Sequence, residues 1–372
     1  MEIKTSQNKS GFCVVIVLLM LCYFAMACNT TRKEQVKMQV TGFFIFGDSL
    51  VDNGNNNDIL TLARANYQPY GIDYPVGPTG RFCNGKTVVD ALGELLGFRD
   101  EIPPFSKAKR STLARGVNFA SGASGIREET GNNLGAHYSM DQQVNYFVSV
   151  VEELRRQFKD DTSALQKYLD KCIIYSGMGS NDYLNNYFMT NYYTTSSQYT
   201  PTSYANALLQ EYSRQLLRLY QVGARKVIVT AVGKIGCIPY ELARSNGTAQ
   251  SRCDEDKNNA VSLFNAGLRQ LVDQFNTPQF PSAKFVYLET ILTNPTSYGF
   301  EVLDRGCCGV GKNNGQITCL PLQAPCENRN KYIFWDAFHP TEAVNIVLAK
   351  KAFTSKSKSD AYPINVKQLA ML

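Results

Sequence analysis

The 372-residue chain carries two histidines, His137 and His339. Imidazole chemistry therefore has two candidate positions, and a metal site built from several imidazoles is excluded. His339 stands in Asp336-Ala337-Phe338-His339-Pro340, directly ahead of a helix-forming run. A carboxylate three residues before a histidine can reach its Nδ1, fix the tautomer and stabilise the imidazolium, as the acid of a catalytic triad must. A nucleophile is offered by Gly47-Asp48-Ser49, which follows an apolar run and precedes Asn53-Gly54. That places a serine on a sharp turn at a strand end. The pattern Gly-x-Ser-x-Gly occurs nowhere in the chain, which argues against the α/β-hydrolase elbow. Alone, each fragment also reads as a turn or helix cap; together they point to acyl transfer.

These residues need a scaffold that delivers both to one place. Five short apolar runs read as buried strands: Gly42–Phe46, Gly116–Phe119, Cys172–Tyr175, Lys226–Thr230 and Lys284–Leu288. Between them lie amphipathic helices. Thr87 to Leu96 is one; Ser139-Met140-Asp141-Gln142 resembles a capping box and opens a second that runs to about Phe158. Thr200 and Pro201 begin a third, with Leu208, Tyr212, Leu216 and Leu219 on one face and Gly223 as its stop. A fourth follows Asp254 and buries Val261, Phe264, Leu268, Leu271 and Phe275, and Thr341 to Phe353 makes the last. Buried strands separated by helices imply an α/β fold of three layers, α/β/α, on a mainly parallel five-stranded sheet. One domain is expected over 42–355, preceded by a short segment at 28–41 and followed by a tail at 356–372. Ligands of such sheets bind outside the carboxyl ends of the strands. Besides Gly47-Asp48-Ser49, those ends hold Ala120-Ser121-Gly122 and Gly179-Ser180-Asn181-Asp182.

The N-terminus fits export. Lys4 and Lys9 precede an uncharged stretch from Ser10 to Thr31, and Ala25-Met26-Ala27 offers small residues where a signal peptidase reads. Residues 1–27 are therefore expected to be a signal peptide, leaving no stable membrane span after cleavage. Asn29-Thr30-Thr31 and Asn246-Gly247-Thr248 are glycosylation acceptors that suit a secreted, extracellular protein. Of eleven cysteines, Cys237 and Cys253 bracket a polar loop, while Cys307, Cys308, Cys319 and Cys326 crowd a Gly/Asn-rich stretch. No C-x-x-C is present, so disulfides are expected rather than zinc, with the pairing open. Cys172 reads as a buried free thiol. A net charge of +6, not gathered into a long basic run, speaks against a nucleic-acid partner.

Gly80-Arg81-Phe82-Cys83-Asn84-Gly85-Lys86-Thr87 matches the phosphate-binding pattern G-x-x-x-x-G-K-[ST] at every fixed position. That loop works only when a buried strand delivers it. The preceding Tyr70 to Pro78 is turn-forming and Pro-broken, so nucleotide binding is rejected.

Four blocks now carry a resemblance: Phe46 to Gly54, Gly116 to Gly122, Gly179 to Asp182, and Asp336 to Pro340. In this order, with Gly80 to Lys86 between the first two, they resemble the plant-type GDSL esterase/lipases of the SGNH hydrolase superfamily. The resemblance spans about Phe44 to Phe353. It implies a serine esterase with Ser49 as nucleophile, His339 as base and then acid, and Asp336 orienting His339. It further implies an oxyanion hole from the backbone N–H groups of Ser49 and Gly122 and the side-chain amide of Asn181. No metal or other cofactor is implied. The implied partner is a small or polymer-borne ester, a lipid or an acetylated cell-wall sugar, met in the cell wall or apoplast if the source is a plant. Transfer of the acyl group to a sugar or lipid hydroxyl, or a catalytically quiet carbohydrate-binding role, are the alternatives. Asp48 and Asp182 are expected to bond loop amides, His137 to be the spare histidine, and the loops Tyr67–Pro78, Gly125–Met140 and Tyr183–Thr200 to wall the site.

Overall fold

A computed structural model describes residues 40–244 and 253–372. The expected signal peptide and both glycosylation acceptors, Asn29 and Asn246, lie outside the described residues.

Four of the expected strands form one parallel sheet. Strands β1 (Phe43–Gly47), β2 (Ile173–Gly177), β3 (Lys226–Thr230) and β4 (Lys284–Leu288) pair in chain order. Each is buried on both faces almost throughout, so each appears in the sequence as a continuous apolar run. The fifth strand of the sheet is β7 (Ala361–Tyr362), which pairs antiparallel with β4. This corrects two expectations. Residues 356–372 are not a tail, because they close the sheet edge and end in the helix Val366–Met371. The segment Gly116–Phe119 is not a ladder strand. It flanks β1 through Ile45 N to Val117 O (3.0 Å), Phe119 N to Ile45 O (2.7 Å) and a single bridge at Asn118. Gly116 makes that approach possible: a Cβ there would lie 1.9 Å from Phe43 O.

Alternation along the strands divides the sheet into two faces. Phe44, Phe46, Ile174, Val227, Val229, Phe285 and Tyr287 join one core cluster. Helices α2 (Met140–Gln157), α4 (Pro201–Gln221) and α6 (Glu255–Phe275) cover it with Val144, Phe147, Leu208, Tyr212, Phe264 and Leu268. Short helices α3 (Thr162–Leu169) and α5 (Pro239–Arg244) complete the run before the last crossover. The caps are those the sequence announces. Thr200 and Asp254 accept from the third helical amide with Pro201 at N1, and Ser139 Oγ accepts from Gln142 N at 3.3 Å. On the other face, α1 (Val88–Leu95) packs against α7 (Glu342–Thr354). Tyr175, Thr230 and Leu288 look across a cavity toward that pair.

A second, two-stranded sheet, β5 (Val302–Gly306) with β6 (Tyr332–Phe334), stands apart from the first. It carries the cysteine-rich stretch, whose pairs are Cys307–Cys326 and Cys308–Cys319; Cys237 pairs with Cys253. Cys83 and Cys172 are buried free thiols.

Candidate active site

Parallel pairing brings the chemistry together. Gly47, the last residue of β1, is the register partner of Gly177, the last of β2. Ser49 and Asn181 therefore leave the sheet at one edge. Glycine is required at 47, where a Cβ would lie 2.5 Å from Val51 and block the turn that folds back over it.

Asp48 closes that turn. Its backbone O accepts from Val51 and Asp52, and its Oδ1 accepts from Leu50 N at 2.9 Å. Gln143, on the buried stripe of α2, clamps Gly47 from both sides: Oε1 accepts its N–H at 3.0 Å and Nε2 donates to its O at 2.9 Å. Asp52 then spans the first two sequence blocks, with Oδ1 taking the amides of Gly54 and Asn55 and Oδ2 taking Gly122 N at 3.0 Å. Asn55, Asn56 and Asn118 stitch the same blocks through backbone carbonyls. Burial pushes the Asp52 carboxyl up to about 6 against these amides.

The histidine arrives from the far end of the chain. Strand β6 leads into Trp335-Asp336, and Trp335 N donates to His339 O at 2.7 Å, closing a turn that delivers the imidazole. Asp336 Oδ1 accepts the amides of Phe338 (2.9 Å) and His339 (2.8 Å). Both its oxygens lie 2.9 Å from His339 Nδ1. With Nδ1–H turned to the carboxylate, Nε2 is left to accept, and Ser49 Oγ stands 2.8 Å from it. Burial works to raise the Asp336 carboxyl, but the imidazole and the donors around it outweigh burial and hold it below the ordinary carboxylate range. A carboxylate so placed stays charged where an imidazolium forms beside it.

One of those donors has no signal in the sequence. Tyr70 OH donates to Asp336 Oδ2 at 2.6 Å from 266 residues away. Its ring is 1% exposed and packs edge-on against Trp335 and Phe82. Phe82 in turn lies tilted over His339, with ring centroids 5.1 Å apart. Phe82 belongs to the segment that imitates a phosphate loop, and the structure gives that segment a different task. Arg81 is buried in a bidentate pair with Asp90, and Asp90 Oδ2 also accepts the Thr87 amide, where a phosphate would have to sit. Asn84 Oδ1 accepts from Glu342 N and Glu342 accepts from Lys86 N, which locks the start of α1 to the start of α7, three residues past the imidazole.

The remaining expected residues divide. Asn181 is 7% exposed, lines the cavity, and uses Nδ2 to donate to Ser124 O at 2.9 Å, while its Oδ1 accepts from Asn185. An amide nitrogen carries two hydrogens, so one remains to face the cavity. Ser49 N has no hydrogen bond among the described residues. Gly122 departs from expectation: its N–H is spent on Asp52, and its neighbour Ala123, not Gly122, lines the cavity. Asp182 takes the amides of Ile126 and Arg127 and the Thr130 hydroxyl, a loop anchor as expected. His137 touches Gly135 O and does not line the cavity. Asp48 keeps one oxygen, Oδ2, buried with no partner, and burial lifts its carboxyl to about 6.

Ser49, His339 and Asn181 open onto a cavity of about 680 Å³. Of the expected walls, Tyr67 and Tyr70, Leu134, and Leu184, Asn185 and Met189 reach it, one group from each loop. No helix among the described residues is long and apolar enough to cross a membrane.

Comparison with known proteins places the chain. A family model for GDSL-like lipase/acylhydrolases matches residues 43–352. The chain is 57% identical to GDSL esterase/lipase At1g33811 of Arabidopsis thaliana over 96% of its own length and 98% of that protein's. It is 51% identical to GDSL esterase/lipase At4g18970 of the same plant, over 96% and 99%. The chain belongs to the GDSL-like lipase/acylhydrolase family and is a carboxylic ester hydrolase.

Proposed function

We propose that the protein cleaves esters by two-step acyl transfer on Ser49. His339 Nε2 takes the Oγ proton as Oγ bonds to the ester carbonyl carbon, whose π electrons move onto oxygen. The oxyanion collapses, the C–O bond to the alcohol breaks, and the alkoxide leaves with the proton from Nε2. Water then repeats the sequence on the acyl-enzyme, with His339 as base and then acid. Asp336 orients the ring and stays ionised throughout. The Ser49 amide and the second N–H of Asn181 are the oxyanion donors, each typically contributing about 3 to 4 kcal/mol to the transition state. Gly122 acts one step back, through Asp52, in shaping the Ser49 turn.

The observation that carries this reading is the continuous hydrogen-bonded line from Ser49 Oγ through His339 to Asp336, at 2.8 and 2.9 Å. The test is Ser49→Ala. Hydrolysis of p-nitrophenyl acetate and labelling by a fluorophosphonate should both vanish while circular dichroism is unchanged. Retained turnover would overturn the assignment. Three disulfides and the leader-like residues 1–27 support action outside the cell. Expression of the full chain with its own N-terminus, followed by sequencing of the exported product, tests that: cleavage near Ala27 is expected, and retention in the cytosol would refute it.

A further inference from the structure

Two neighbouring asparagines follow Asn181, and they have different partners. Asn186 is fully buried and anchors its loop: Nδ2 donates to Thr130 Oγ1 at 3.0 Å, and Oδ1 accepts from Thr195 Oγ1 at 2.5 Å. Asn185 lines the cavity instead, and its Nδ2 donates to Asn181 Oδ1 at 2.7 Å. The chain reaches this position through a wide turn over Tyr183–Tyr187. Phe188 N donates to Tyr183 O, five residues back, and Asn185 leaves helical geometry at φ −109° and ψ 24°. Such π turns are uncommon and concentrate at functional sites. Gly131 N, from the neighbouring loop, donates to Asn185 O at 3.3 Å and pins the turn.

An amide side chain fits its site in two ways, related by exchange of oxygen and nitrogen, and its neighbours choose between them. Asn181 has two such neighbours: Ser124 O accepts from Nδ2 at 2.9 Å, and Asn185 donates to Oδ1. Turned over, Asn181 would set its oxygen against the Ser124 carbonyl and its NH2 against that of Asn185. It would also show the cavity a carbonyl oxygen, which repels a developing oxyanion. Ser124 contributes only its backbone and is buried, with Oγ donating to Ser121 O at 2.7 Å. Asn185 is therefore the side chain that makes the choice. We propose that Asn185 is a positioning residue for the oxyanion hole: its donation to Asn181 Oδ1 holds the Asn181 amide with an N–H toward the reacting carbonyl. This rests on Asn181 being an oxyanion donor. The benefit falls on the transition state, where the charge develops, and not on ground-state binding.

The test is Asn185→Leu, close to asparagine in shape but without a donor, alone and combined with Asn181→Ala. On p-nitrophenyl acetate, with active sites counted by fluorophosphonate, Asn185→Leu should lower kcat about tenfold and change KM less than about threefold. Asn181→Ala should lose about 10²- to 10³-fold. Adding Asn185→Leu to it should change kcat by less than about twofold, because the residue acts only through the missing amide. The thiono analogue of the ester, with sulfur in place of the carbonyl oxygen, gives a readout that altered packing does not move. Sulfur accepts hydrogen bonds poorly, so the oxygen-to-sulfur rate ratio reports on the hole and should drop about tenfold in Asn185→Leu. Equal losses from Asn185→Leu in the two backgrounds, or an unchanged ratio, would overturn the proposal. Should the leucine variant not fold, Asn185→Asp takes its place. Its carboxylate only accepts, draws the Asn181 NH2 away and should cost about 100-fold; a loss under about threefold would overturn the proposal equally. A loss under about tenfold in Asn181→Ala alone would instead strike the reading of Asn181 as a donor.

Discussion

The serine and the histidine that meet at 2.8 Å are held by regions built in different ways. The serine region grows out of the sheet. Its turn follows a fully buried strand and is fixed by local hydrogen bonds: Asp48 to its own loop, Gln143 on Gly47, and Asp52 with three asparagines across to the 116–122 segment. The histidine region stands outside the sheet, on a two-stranded ribbon, and is fastened by covalent and long-range means. Two disulfides close the ribbon's loop, Tyr70 reaches Asp336 across 266 residues, and Asn84 and Lys86 lock α7. The first region has the large core of the sheet behind it, while the second has a small cluster of its own around Tyr70, Phe82 and Trp335. That smaller cluster includes Cys307, Cys308 and Cys319, so the disulfides reinforce a core of limited size.

The two regions also treat their buried carboxylates oppositely. Asp336 has every oxygen engaged and lies below the ordinary range; Asp48 has one bare oxygen and lies near 6. Breaking each region separately should expose this contrast. The largest effect belongs to Asp336→Asn, which leaves the turn but spoils the tautomer and should lower kcat by about 10⁴-fold; a loss under tenfold would remove Asp336 from the chemistry.

Cys308→Ser with Cys319→Ser should cost about 3 kcal/mol of stability, and the loss should be regional. The single tryptophan, Trp335, sits beside Asp336. Its fluorescence should therefore change at lower guanidinium than the circular dichroism of the sheet, whereas superimposed transitions would mean one cooperative unit.

The Asp48→Asn variant probes the serine region. Because the folded carboxyl is raised from 3.8 to about 6, its favourable contribution is full below pH 4 and is lost as pH rises through 6. Asparagine keeps the bond from Leu50 N and carries no charge. The variant should match wild type at pH 4 and exceed it above pH 7 by up to about 3 kcal/mol. Parallel stability curves from pH 4 to 8 would contradict this.

The smallest expected effect is that of Tyr70→Phe. Loss of its donation to Asp336 should cut kcat/KM by about tenfold and move the acidic limb of the profile upward, since the carboxylate becomes more basic toward the imidazole. With active sites counted by fluorophosphonate, an unshifted limb would reduce Tyr70 to packing.

Much of the serine region was legible in the sequence because its information is local. Strands β1 to β4 are uninterrupted apolar runs, and Ser49, Asn181 and Asp336–His339 sit in short blocks at element ends. The histidine region was less legible. Strand β5 carries Asp304 and Arg305 where the other strands have apolar residues, and β7 is two residues long. Four crowded cysteines permit three pairings, and nothing in their spacing selects the nested one that forms. Tyr70 lies in a turn-rich stretch where no periodicity marks it, and its partner is set by tertiary structure alone. Gly122 illustrates a different limit. Its place in a familiar block says that the backbone comes close to something, but not that the something is Asp52.

The separation of the reacting pair along the chain also sets a schedule. Ser49 and His339 are 290 residues apart, and synthesis at about 5 to 20 residues per second puts roughly 15 to 60 s between their appearances. The strand that seals the sheet edge, Ala361–Tyr362, comes later still. On the proposed roles, an unfinished chain holds Ser49 without His339, and the Cys307–Cys326 and Cys308–Cys319 pairs close only after Cys326 has appeared. Under the proposed mechanism, activity therefore has to wait for the chain's far end, whatever the order in which the rest folds.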